Sequence, residues 1–99
     1  MSTRIYKYVL ATTLLPGKLS IPMPRQATII SFGVDGSHQM CVWAVVNPSS
    51  PAVLKRIKVC YTGEDSPAAE RFIGTYIDPR DGLVYHCFDC GWVGEPVGV

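Results

Sequence analysis

Residues Ala27–Val46 read ATIISFGVDGSHQMCVWAVV, and this stretch decides the fold. Two runs rich in β-branched and aromatic residues, Ala27 to Val34 and Gln39 to Val46, flank Asp35-Gly36-Ser37-His38. Such runs favour extended backbone, and Asp, Gly and Ser between them favour a tight turn. The pattern predicts an antiparallel hairpin. A two-residue loop at Gly36-Ser37 sets Phe32 opposite Cys41 and Ile30 opposite Trp43, which makes apolar cross-strand neighbours.

Working outward, Ile5 to Leu10 is a further strand. Thr12 to Arg25 carries Pro16, Pro22 and Pro24. Proline cannot donate to a ladder, so this segment is an edge or an extended connection. Asn47-Pro48-Ser49-Ser50-Pro51 is a loop. In Val53 to Tyr61, residues Val53, Ile57, Val59 and Tyr61 share a parity with Lys55. Leu54, Arg56, Lys58 and Cys60 take the other, giving one buried face and one wet, basic face. Ser66 as N-cap and Pro67 at the first helical position allow at most one short helical turn near 66–71. Phe72 to Ile77 and Leu83 to Phe88 flank the turn Asp78–Gly82. The expected fold is all-β, a small antiparallel sandwich or partly open barrel of about six strands. A single domain spans 1–99, with core strands at about 5–88 and an apolar tail at 89–99.

Composition narrows the classes. The chain has 99 residues, 47% hydrophobic and 17% charged, with net charge +1. Disordered chains have few apolar residues and high net charge, so that class is excluded. A polybasic nucleic-acid binder is excluded too, and nucleic acid is not an expected partner. No run approaches the ~20 apolar residues of a membrane helix, so no membrane partner is expected. Arg4 and Lys7 before Val9–Leu15 look superficially like a secretory leader. That run is short and lacks a small-residue cleavage site. Cys41, Cys60, Cys87 and Cys90 are accordingly read as reduced thiols.

The loudest local signal is Cys87-Phe88-Asp89-Cys90-Gly91, preceded by His86. In zinc knuckles such a turn holds two thiolates, but a structural zinc needs four ligands. No second pair exists, so Cys41, Cys60, His38 or His86 would have to complete the set. Cys87 and Cys90 are read first as small apolar residues at a strand end. Zinc on them is the alternative, and no other cofactor is expected. His86 and Cys87 are adjacent in a strand and point to opposite faces. His86 reads as a hydrogen-bonded, partly buried side chain. No nucleophile elbow, converging carboxylates or phosphate loop is recognised, so no enzyme is expected.

Tyr6, Tyr8, Trp43, Tyr61, Tyr76, Tyr85 and Trp92 exceed what a core of this size needs. Tyr and Trp suit surfaces that are apolar at one end and wet at the other. Arg56 and Lys58 share a strand face and suit a phosphate. The candidate binding residues are therefore Tyr6, Tyr8, Trp43, Arg56, Lys58, Tyr85 and His86. Charge is uneven: 1–58 holds seven basic residues and one acid, whereas 60–99 holds two and seven. The resulting +6 and −5 predict pairing between early and late strands, or between two subunits.

The order Ile5-Tyr6-Lys7-Tyr8, Pro24 to Phe32, Cys41-Val42-Trp43-Ala44-Val45-Val46, Asn47-Pro48, Thr62-Gly63, Phe72-Ile73-Gly74-Thr75 and Gly82-Leu83-Val84-Tyr85-His86 with Phe88 resembles a family of small tailed-bacteriophage proteins of unknown function. Its members end soon after the position of Phe88, so Cys90 and the tail depart from it. The resemblance implies a viral origin and the host bacterial cytoplasm, and no activity. The expected function is a non-enzymatic, homo-oligomeric binding module. Its partners are a second copy and a host protein or small nucleotide-like ligand. Blocking or sequestering a host-defence component is the concrete form. The alternatives are a virion structural or decoration protein, whose tail packs on a neighbour, and a zinc-stabilised interaction module.

Overall fold

A computed structural model describes residues 2–11, 15–69 and 71–94. They form β1 (Arg4–Val9), β2 (Gly17–Pro24), β3 (Thr28–Val34), β4 (Met40–Val46), β5 (Ala52–Tyr61), β6 (Arg71–Ile77) and β7 (Val84–Trp92). Sheet A has the order β1-β4-β3 and sheet B the order β2-β5-β7-β6. All pairings are antiparallel. The architecture is the expected all-β sandwich, with one strand more than six. The additional strand is β2, drawn from the proline-bearing segment. It is the outermost strand of sheet B, where a missing N–H leaves no neighbour unpaired. The stretch 65–69 is irregular and contains no helical turn. A single turn fixes several residues for one hydrogen bond, so little favours it. Residues 12–14, Glu70 and 95–99 of the apolar tail lie outside the described residues.

Period-two alternation builds the core. Ile29, Phe32, Met40, Val42, Ala44 and Val46 from sheet A meet Leu19, Met23, Ile57, Val59 and Cys87 from sheet B, all buried. Each large aliphatic among them contributes about 1.5–3 kcal/mol. The sheets close together where β3 meets β6. There the Arg71 guanidinium donates to the Ile29 carbonyl, and a Cβ on Gly74 would sit 3.8 Å from that of Phe32.

The hairpin register differs from the expected one. Phe32 pairs with Val42, Gly33 with Cys41 and Ser31 with Trp43. The loop has three residues, Gly36-Ser37-His38. The Asp35 carbonyl accepts from the His38 N–H at 3.0 Å, and the Asp35 N–H donates to the Gln39 carbonyl at 2.9 Å. His38 has φ 60°, in the left-handed region. This is a type I turn closed by one left-handed residue, the usual three-residue hairpin loop. The Asp35 carboxylate fastens it by accepting the Ser37 and Gln39 N–H groups, both at 2.9 Å. A shift of one residue changes which side chains share a face, and here it sets Phe32 beside Val42 in the core. Ile30 falls at a register shift between Ile29 and Ser31 and is exposed.

The Cys87–Gly91 motif has a structural meaning. Ile57 pairs with Asp89 and Lys55 with Trp92, so Arg56 stands opposite two residues, Cys90 and Gly91. Gly91 adopts φ 87°, and its N–H donates to Asp89 Oδ1 at 2.9 Å. The bulge returns Trp92 to the inner face, where it packs on the core. Lys55, only 3% exposed, lies there too. Its Nζ is 3.1 Å from Asp89 Oδ2 and 4.0 Å from the centroid of the Trp92 ring.

Candidate functional site

The outer face of sheet B concentrates positive charge. Parity in β5 turns Arg56 and Lys58 away from buried Ile57 and Val59. Parity in β2 turns Lys18 and Ser20 away from buried Leu19. The register then sets Lys18 opposite Lys58 and Ser20 opposite Arg56. These side chains, with Cys90 of β7 and the wall formed by Pro67 and Ala68, line an open cleft of about 350 Å³ floored by Leu19 and Ile57. Among the described residues its lining has three cations and no carboxylate. The Arg56 Nη2 donates to the Trp92 carbonyl at 2.7 Å, which fixes the guanidinium at the cleft. Like charges directly opposite in a sheet are destabilising. An anion seated between Lys18 and Lys58 relieves that repulsion, and an Arg supplies forked donors to phosphate-type oxygens.

Of the other predicted residues, His86 and Cys90 share this face, whereas Tyr6, Tyr8, Trp43, Tyr85 and Cys87 do not. Tyr8 packs partly buried against the core from β1, and burial raises its phenol pKa. Tyr85 does the same from β7. Burial first, then the Tyr61 phenol, pushes its pKa up to about 12. The Tyr61 and Tyr85 rings stack tilted at 5.1 Å. Tyr6 lies beside Tyr8 on the edge strand and is 39% exposed. The aromatic excess therefore divides between core and surface, with Tyr8, Tyr76, Tyr85 and Trp92 all packed on the core. Trp43 is on the outer face of sheet A, opposite Lys7 of β1. Ile5 and Val9 flank Lys7 there and are well exposed. Lys7 Nζ lies 2.8 Å from Asp35 Oδ2, and this pair holds the Asp35 carboxyl far below its ordinary range.

His86 is on the outer face of sheet B, half-buried and held at both nitrogens. The Thr62 hydroxyl is 2.7 Å from Nε2 and the Thr75 hydroxyl 2.9 Å from Nδ1. Cys87 points into the core and Cys90 lines the cleft on the opposite face. Burial pushes the Cys87 thiol up to about 12, and burial followed by the Asp89 charge raises Cys90. Among the described residues, no three His, Cys, Asp or Glu side chains converge on a metal position. Also among them, no helix is long and apolar enough to cross a membrane.

Lys18 and Ser20 escaped the sequence reading because they belong to β2, whose pairing with β5 is non-local. The double lysine is visible only once the strands are in register.

Two packed antiparallel sheets with a cation-lined cleft on one outer face define a small β-sandwich domain. The chain belongs to the family described as domain of unknown function DUF7352, whose model matches residues 1–91. That span includes Lys18, Arg56 and Lys58, and both Cys87 and Cys90. No curated protein and no solved structure matches the chain.

Proposed function

We propose that this protein is a non-enzymatic binding module that takes a phosphate-type anion in the cleft of sheet B. The observation that carries the reading is Lys18 set opposite Lys58, one rung from Arg56, with no carboxylate among the described residues of the lining. The threonine-held His86 and the raised thiol pKa values support binding rather than catalysis. Isothermal titration with pyrophosphate at low salt tests it. Wild type binds, affinity falls as salt rises, and Lys58→Glu abolishes the heat. Equal heats for wild type and Lys58→Glu would refute the site.

Self-association through β1 is the companion proposal. Among the described residues the strand is an edge of sheet A with no neighbour beyond it, and its one lysine is paired to Asp35 rather than guarding the edge. The resemblance to tailed-phage proteins supports an infected bacterial cytoplasm as the setting, on the quoted motifs alone. A host-defence component is the proposed target, supported by the aromatic surplus and the sheet edges.

A further inference from the structure

One rung of sheet B crosses all four strands: Lys18 pairs with Lys58, Lys58 with Phe88, and Phe88 with Phe72. All four belong to the outer face. At about 4.8 Å between strands, the rung spans roughly 14 Å. Its cationic half opens into the cleft. Its aromatic half is a pair of rings with centroids 5.5 Å apart in an edge arrangement. Phe72 is 52% exposed, so a large ring stands in water two strands from Lys58, with Phe88 between them. Aromatic faces accept flat heterocycles by stacking, and lysines beside them track phosphate oxygens.

Resting on the phosphate reading of the cleft, we infer that the ligand is a nucleotide. Its phosphates seat among Lys18, Arg56 and Lys58, and its base stacks on the Phe72–Phe88 shelf. The acyclic anions that the cleft alone would take have no use for the shelf, and an uncharged aromatic has no use for the lysines. The two halves lie on one rung of the outer face, and a molecule carrying both groups would use both.

The test compares pyrophosphate, ADP and a 5′-phosphorylated trinucleotide on the full chain, using wild type, Phe72→Ala and Lys58→Glu. Phe72 is surface-exposed, so its truncation leaves the fold intact, which a thermal melt verifies. The inference expects ADP to bind wild type at least about fivefold tighter than pyrophosphate does, and Phe72→Ala to erase that advantage without weakening pyrophosphate. Lys58→Glu weakens both. Tighter binding of the trinucleotide than of ADP assigns the nucleotide to a single-strand end, and the reverse assigns it to a free nucleotide. Equal affinities for ADP and pyrophosphate, or an ADP advantage that survives Phe72→Ala, overturn the inference while the anion site stands. Absence of pyrophosphate binding removes the anion site itself.

Discussion

Lys55 Nζ and Asp89 Oδ2 lie 3.1 Å apart between the sheets, with both side chains more than nine-tenths buried. The pair depends on the bulge at Asp89-Cys90-Gly91, which turns Trp92 over the ammonium as a third partner. Desolvating two charges costs several kcal/mol each, and their attraction with good geometry offsets that. Removing one partner leaves the cost without the offset. Asp89→Ala should therefore destabilise the fold by about 3–5 kcal/mol, whereas Lys55→Met combined with Asp89→Leu should recover most of the loss. Urea denaturation measures both, and a single variant as stable as wild type would contradict the role given to the pair.

Acid should loosen the β3–β4 loop. The Lys7 ammonium, helped by the Gln39 and Ser37 N–H groups, keeps the Asp35 carboxyl well below its ordinary value. Arg80 does the same for Asp78. A carboxyl depressed in the folded state stabilises at pH above its unfolded value of about 4, and that contribution is lost as pH falls toward the folded value. The urea midpoint should hold steady from pH 7 to about 5 and decline below about 4. Asp35→Asn should flatten part of that decline. A midpoint independent of pH down to 2 would contradict the assignment.

His38 pays a left-handed backbone cost at φ 60° that glycine escapes. His38→Gly should raise stability by about 0.5–1 kcal/mol, a rise of several degrees in Tm for a domain of this size. A lower Tm by calorimetry would show that the imidazole contributes more than its backbone strain removes.

Much of this could be read from residues in order, and the remainder was non-local. Alternation in β5 placed Ile57 and Val59 inward and Arg56 and Lys58 outward correctly, because period two is a local property. The same parity placed Lys55 inward. Its charge argued for water, and only Asp89 and Trp92, thirty-odd residues later, explain its burial. The hairpin slipped by one residue because His38 is not a residue that advertises a left-handed conformation. The Cys87–Gly91 spacing reads as small apolar residues at a strand end, with a zinc turn as the alternative, and the bulge that Asp89 and Gly91 make there is visible only in the register with β5. Of the candidate site, Arg56 and Lys58 were legible, while Lys18, Ser20 and the Phe72–Phe88 shelf required strand order. The early-to-late charge pairing held for Lys55–Asp89 only in part. Lys7–Asp35 and Arg80–Asp78 each close within their own half.

Free edges predict association. Ile5 and Val9 are 63% and 46% exposed on β1, which among the described residues pairs with β4 alone. Sedimentation velocity from 5 to about 500 μM should show mass rising toward a dimer, as edge pairing by weak contacts requires. Ile5→Lys with Val9→Lys should return the monomer. A monomer across the whole range for wild type would exclude β1 as an interface.

The proposed ligand of the outer face of sheet B is an anion. Amide chemical shifts of labelled protein titrated with pyrophosphate at low salt test it most directly. The account predicts saturable shifts clustered at Lys18, Ser20, Arg56, Lys58 and Cys90, lost in Lys58→Glu. Shifts confined to Ile5, Val9 and Trp43 on the other sheet, or no saturable shifts at all, would contradict it.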